Sequence, residues 1–292
     1  MLPEEIARKV KGIELRTKRL VNDVFSGEYH SVFKGTGIEF AEVREYGIGD
    51  DVRLIDWNVT ARTGHPYIKT FDEERELTVM LVVDVSGSGL FGSRGSSKEE
   101  LAAEVSAVLA FSAIKNNDRV GLVMFTDRIE LYIPPKKGIK HVLRVIREIL
   151  YFRPQGTRTS LKSAVEHVNR ILKRKAIVFV ISDFMDSGFE SALSIAAQKH
   201  DLIAITISDE REEIIGNSGV LVLEDAETGA VVLVDTSSKK VRRNYWLAVQ
   251  KRQNDVAEFF MRSGIDRIDL RTGKSYDGEL IRFFKKRMRQ YR

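Results

Sequence analysis

Between residues 81 and 93 the sequence reads LVVDVSGSGLFGS. An aliphatic run ends on Asp84, and Ser86 and Ser88 follow among glycines in an Asp-x-Ser-x-Ser pattern. A second aliphatic run, AIVFVIS at 176–182, ends on Asp183 in the same way. Gln155-Gly156-Thr157-Arg158-Thr159 lies between the two. Every group in this set is a hard oxygen, with no imidazole or sulfur among them. Such donors suit Mg²⁺, with Mn²⁺ as the second choice, because these ions prefer six oxygens and tolerate retained water. Two serines, one threonine and two aspartates do not close an octahedral cage. They leave a position open for an incoming carboxylate, and Thr159 competes with Thr157 for the threonine role.

Other chemistries find less support. Ser86 as a hydrolytic nucleophile needs a base, but His30, His65, His141, His167 and His200 show no useful pairing, and no Gly-x-Ser-x-Gly elbow occurs. The glycine-rich stretches GTGIEF and GSGLFGS lack the Gly-Lys-Ser/Thr ending of a phosphate loop. The chain has no cysteine, which removes disulfides, thiolate metal sites and cysteine nucleophiles together.

The elements that must carry these residues follow from hydrophobic periodicity. Leu77–Val83 is apolar throughout, as expected of a central strand covered on both faces. Ser97 to Glu100 reads as a capping box opening a helix to Lys115. Strands are expected at Arg119–Thr126 and, antiparallel to it, Ile129–Ile133, then a helix over Lys137–Leu150. Further helices are expected at Ser160–Arg174, Phe189–Lys199, Val241–Ser263 and Asp277–Gln290, with strands at Ala176–Ser182, Leu202–Ile207 and Ile265–Leu270. A β-hairpin joins Val220–Leu223 to Ala230–Val234, within about 219–235. This alternation predicts an α/β fold with a doubly wound, mostly parallel sheet over residues 76–292. In such sheets ligands gather at the carboxyl ends of the strands, where Asp84 and Asp183 stand.

Residues 1–75 read as an accessory region packed on that domain. Glu4–Val24 has the pattern of an amphipathic helix following Pro3, and no Pro/Ser linker follows. The stretch 31–65 predicts short strands or loops without a helix of convincing length. Asp50, Asp51, Arg53, Asp56 and Trp57 read equally well as a functional cluster or as a buried ion-pair hub.

At 43% hydrophobic the chain can bury a substantial core. A charged N-terminus and the lack of any run near 18 apolar residues predict a cytoplasmic protein without a membrane span. The net charge is +5, yet residues 239–292 hold 16 Lys/Arg against 6 Asp/Glu. No aromatic stacking motif interleaves these charges, which favours a solvated helical face over a nucleic-acid surface.

The order and strand-end placement of Asp84-x-Ser86-x-Ser88, Gly156-Thr157 and Asp183 resemble the metal-ion-dependent adhesion site of von Willebrand factor A domains. By that resemblance Ser86, Ser88 and Thr157 ligate the ion directly, and Asp84 and Asp183 act directly or through water. Phe184 departs from the pattern, because glycine commonly follows this aspartate. The stretch from 37 to 76, GIEFAEVREYGIGDDVRLIDWNVTARTGHPYIKTFDEERE, together with FFKKR near the end, resembles a prokaryotic family of unknown function encoded beside MoxR-type AAA+ ATPases. The resemblance implies a non-enzymatic, Mg²⁺-dependent interaction module. Its partner, a MoxR-type ATPase by the same resemblance, would supply an Asp or Glu carboxylate in assembly or chaperone-like work. The competing expectation is a Mg²⁺-dependent hydrolase of a phosphorylated substrate.

Overall fold

The computed structural model describes residues 11–15, 17, 21, 39–72, 76–92 and 97–290. The chain divides into two compact units, one of residues 33–77 and one of residues 78–292 together with 1–32. Of the helix expected over Glu4–Val24, most lies outside the described residues. Residues 11–15 are helical, and Ile13, Thr17 and Val21 are buried.

In the unit of residues 33–77, β1 (Glu39–Glu45) pairs antiparallel with β2 (Tyr67–Asp72). The short helix α1 (Trp57–Thr63) lies between them in sequence. The sequence reading missed this helix because it is a single capped segment of two turns. The Asp56 side chain accepts from the amides of Asn58 and Val59 at its start, and Gly64 closes it in the left-handed region at φ 78°. The expected buried hub is not buried. Asp50 pairs with Arg44 at 2.8 Å, Asp51 with Arg53 at 2.8 Å and Asp56 with Lys69 at 3.4 Å, as separate local pairs, and Trp57 is exposed. Among the described residues these charges come together two at a time.

The larger unit is built on a six-stranded sheet in the order β10-β7-β6-β3-β4-β5. Its strands are β3 (Thr78–Asp84), β4 (Arg119–Phe125), β5 (Ile129–Lys136), β6 (Ile177–Ser182), β7 (Asp201–Ser208) and β10 (Asp266–Arg271). All neighbours are parallel except β4 and β5, which form the expected antiparallel pair. β3 and β6 are aliphatic along nearly their whole length because both faces of the sheet are covered. Met80, Val82, Val178 and Val180 pack in one cluster with helix α4 (Leu161–Ile171) and helix α5 (Glu190–Lys199). Helix α2 (Lys98–Lys115) is buried on most sides, with Ala102, Ala103, Ala107, Ala110 and Ala113 keeping it close to its neighbours. The doubly wound α/β reading is thus the observed fold.

Helix ends differ from the periodicity for local reasons. Helix α3 (Ile139–Tyr151) begins two residues later than expected, because Gly138 stands at φ 95°, outside the helical region. Helix α4 stops at Ile171, where the Lys199 ammonium donates to the carbonyls of Asn169 and Leu172. The short helix α6 (Glu210–Glu213) precedes the hairpin of β8 (Val220–Glu224) and β9 (Val231–Asp235). Helix α7 (Lys239–Arg262) and helix α8 (Asp277–Gln290) complete the chain. No helix among the described residues is long and apolar enough to cross a membrane.

Candidate metal centre

From β3 the chain moves to β4 and β5 on one side, then crosses back to β6 on the other and goes on to β7 and β10. Strand order therefore reverses at the carboxyl ends of β3 and β6, the position where open α/β sheets form a crevice. Val83 pairs with Ile181, so Asp84 and Ser182 lie abreast. The Ser182 hydroxyl donates to Asp84 Oδ2 at 2.8 Å, and the Ser86 amide donates to Oδ1 at 3.0 Å. The Ser86 and Ser88 hydroxyls are 3.1 Å apart, and Ser86 is buried.

Asp183 follows β6 directly. Its Oδ2 accepts from the Lys98 ammonium at 2.9 Å, and its Oδ1 accepts from the Met185 amide at 3.1 Å. Lys98 is the first residue of α2 and also meets Glu212 Oε1 at 2.6 Å. Glu212 is held there as part of a capping box with Asp209 at the start of α6. Phe184 stands at φ 54°, the region that glycine would occupy without strain. Packing explains its tolerance: the ring is buried and edge-on to Phe189 and Phe260, at 6.0 and 5.1 Å between centroids. The residue that departs from the adhesion-site pattern thus anchors the turn in the core.

A cavity of about 20 Å³ opens between these groups, lined by Asp84, Ser88, Lys98, Ser182 and Asp183 among others. It has room for one water-sized species. Burial pushes the Asp84 carboxyl up to about 6, the charge of Asp183 adds to that rise, and the bonds from Ser86 and Ser182 oppose it. Burial alone would push Lys98 down, but Asp183 and Glu212 more than offset it and hold its ammonium above the usual range. Asp84, Glu99 and Asp183 line the cavity with Lys98, and Glu212 meets the same ammonium, so carboxylates outnumber the ammonium there. Asp84 accepts from Ser86 and Ser182, and Asp183 from Lys98 and the Met185 amide, so both carboxylates are fixed in orientation at the cavity. Donor chemistry, space and charge all fit a small hard cation. Among the described residues, no group of three or more His, Cys, Asp or Glu side chains forms a metal cluster, so any such ion would depend on hydroxyls and water as well.

The remaining sequence-predicted residues are placed as follows. Gly156 packs where an added Cβ would collide with Thr126 and Asp127, and its amide donates to Glu130 Oε1 at 2.8 Å. This fixes the 155–159 loop, whose Thr157 carbonyl accepts from the Gly87 amide at 2.9 Å. Thr157 therefore lies against the Ser86–Ser88 turn, but its hydroxyl donates elsewhere, to the Glu227 carbonyl at 3.0 Å. The Thr159 hydroxyl donates to Glu227 Oε1 at 2.6 Å. Sequence reading missed Lys98, Glu212 and Glu227. Lys98 alone carried a signal, since a lysine opens a helix there against the macrodipole.

Residues 42–255 match the family described as "Protein of unknown function DUF58". The chain belongs to the DUF58 family. An uncharacterized protein of Mycobacterium tuberculosis (strain H37Rv) is 31% identical over 288 residues, covering 98% of this chain and 90% of that protein. The uncharacterized YeaD of Bacillus subtilis is 21% identical over 184 residues, covering 63% of this chain and 43% of YeaD. Similar solved structures include the conserved hypothetical protein BatB of Bacteroides thetaiotaomicron, with TM-score 0.46 and 15% identity over 73% of this chain and 99% of that one. Another is the von Willebrand factor A domain of SpRpn10, with TM-score 0.38 and 10% identity over 71% of this chain and 94% of that one.

Proposed function

We propose that this DUF58 chain is a non-enzymatic interaction module of the von Willebrand factor A kind, in which Mg²⁺ at the β3/β6 mouth takes a carboxylate from a protein partner. One observation carries the reading: Asp84, Ser88 and Asp183 converge on a cavity of about 20 Å³ where carboxylates outnumber the single ammonium of Lys98. Asp84 and Asp183 would hold the ion, with Ser88 beside them and Ser86 one hydroxyl away. When bound, Mg²⁺ supplies a Lewis-acidic centre with exchangeable water that a carboxylate replaces. Ser182 and the Ser86 amide orient Asp84, while Lys98 and the Met185 amide orient Asp183. Among the described residues no histidine lines this cavity, so the reading needs no general base. The family resemblance makes a MoxR-type AAA+ ATPase the partner of choice, in assembly or chaperone-like work.

Titration calorimetry with Mg²⁺, Mn²⁺ and Zn²⁺ tests the metal half. The wild type should bind Mg²⁺ and Mn²⁺ in preference to Zn²⁺, and a Ser86→Ala, Ser88→Ala double variant should bind them more weakly. Equal binding by both proteins removes the site. Pull-down of the ATPase in Mg²⁺ and in chelator tests the partner half, and capture that is indifferent to chelator refutes metal bridging.

A further inference from the structure

The β8–β9 hairpin ends in a turn over residues 225–229 (Asp-Ala-Glu-Thr-Gly) that is preformed. Asp225 Oδ1 accepts from the amides of Glu227 at 2.8 Å and Thr228 at 3.2 Å, and the Gly229 amide donates to the Asp225 carbonyl at 2.8 Å. This turn presents Glu227 to the 157–159 loop, which grips it at three points. The Thr159 hydroxyl donates to Oε1 at 2.6 Å, the Thr159 amide to Oε2 at 3.2 Å, and the Thr157 hydroxyl to the main-chain carbonyl at 3.0 Å. The neighbouring Ala226 carbonyl lies so close to Gly87 that a Cβ there would collide with it. A carboxylate of the chain itself is therefore seated on Thr159, while the main chain beside it lies against Gly87, between Ser86 and Ser88.

The stem of the hairpin does little to hold the tip there. Val222 pairs with Leu233 and Val220 with Asp235, so Val220, Val222, Val231 and Leu233 share one face. Their relative exposures are 64%, 67%, 60% and 71%. With that face open to solvent, the tip is positioned by the hydrogen bonds around Glu227, by the Thr236–Gly219 bonds at the base and by the half-buried Leu221–Val234 pair on the other face. Hydrogen bonds of this kind exchange readily with those of a competing carboxylate.

We propose that Glu227 is an internal ligand. The 225–229 tip occupies the surface made by Gly87, Thr157 and Thr159, which in complex receives an acidic turn of a protein partner, and the partner binds by displacing the tip. This deepens the interaction-module reading and rests on it for the partner, but the three-point grip on Glu227, two bonds to its carboxylate and one to its main-chain carbonyl, does not itself require the metal.

The test uses fluorescence anisotropy of a labelled, end-cyclised peptide with the chain's own residues 222–233, titrated with full-length protein. One protein is the wild type; a second has residues 225–230 replaced by Asn-Gly, a two-residue turn that keeps the hairpin; a third carries Glu227→Gln. A tip that is closed most of the time should weaken peptide binding to the wild type at least about tenfold relative to the shortened chain, with Glu227→Gln falling between. A control peptide with glutamine at the position of Glu227 should bind none of the three. Equal binding to wild type and shortened chain, no binding to the shortened chain, or equal binding of the two peptides each overturns the proposal. If circular dichroism shows the shortened chain unfolded, the Glu227→Gln comparison decides by the same criteria. Repeating the titration in chelator separates the two readings: a tenfold difference that survives chelation supports the internal ligand and leaves the metal bridge to the ATPase pull-down. A difference that appears only with Mg²⁺ refutes a grip that needs no metal.

Discussion

The floor and the cap of the candidate site are held by opposite means. The floor joins β3, β6 and the start of α2 through groups withdrawn from water: Lys98 and Asp183 have side-chain exposures of 4% and 6%, and the Phe184 ring lies behind them. The cap is a hairpin whose apolar stem faces solvent and whose tip is fastened by the contacts of one glutamate. Desolvated charge and packing make the floor costly to alter, whereas the cap rests on exchangeable bonds. Substitutions in the floor should therefore appear as lost stability, and substitutions in the cap as changed occupancy of the site.

The largest effect is expected at Lys98. Lys98→Met leaves Asp183 and Glu212 without their shared cation, and removing one partner of a buried charge pair costs about 3–5 kcal/mol. Urea denaturation should show a lower midpoint; an unchanged midpoint would mean that the floor is solvated. In the same measurement Phe184→Ala should cost about 3–5 kcal/mol through the cavity left in the core. Phe184→Gly should be about 1 kcal/mol more stable than Phe184→Ala, because glycine removes the left-handed strain at φ 54°.

Asp84 should behave in the opposite sense. Its folded-state carboxyl, pushed up to about 6, holds its proton more tightly than in the unfolded chain, where the value is about 3.9. Without divalent metal, this group therefore adds stability as pH falls from 7 through 6 towards 4, and withdraws it as pH rises. Asp84→Asn should remove that component and raise metal-free stability at pH 7 by about 1–2 kcal/mol, less than the full shift because the amide cannot accept from both Ser86 and Ser182. The same variant should lose Mg²⁺ binding by calorimetry. Thermal melts of both proteins at pH 5 and pH 7 in chelator check the sign.

The smallest change in stability, and the clearest view of the cap, should come from Gly87→Ala. Its Cβ collides with the Ala226 carbonyl, so the tip must move away while the stem, already exposed, loses little. Hydrogen exchange should speed up at the amides of Thr159 and Glu227, which are covered by the tip and its turn, and stay constant along β3 and β6. Uniform acceleration across the sheet would show that floor and cap are one structure.

The legibility of this protein follows the range of the forces involved. Aliphatic runs at 77–83 and 176–182, the capping serine at 97 and the turn residues between them determined the strands, the helices and the doubly wound fold, because periodicity and capping act within a few residues. They also placed Asp84, Ser86, Ser88 and Asp183 at strand ends, since a parallel sheet brings all its carboxyl ends to one edge. Tertiary structure alone decided which distant groups complete that edge. Lys98 reaches Asp183 across 85 positions, and Glu227 reaches Thr159 across 68, in each case through a side chain whose own neighbours in sequence gave it no reason to be there. Phe184 shows both levels at once: its type marked a departure from a pattern, but only the aromatic packing against Phe189 and Phe260 explains how a left-handed phenylalanine is stable. Local order was written in residue type and spacing. The pairing of buried charges was not, because it depends on which surfaces the folded sheet and its hairpin bring within a few ångströms of each other.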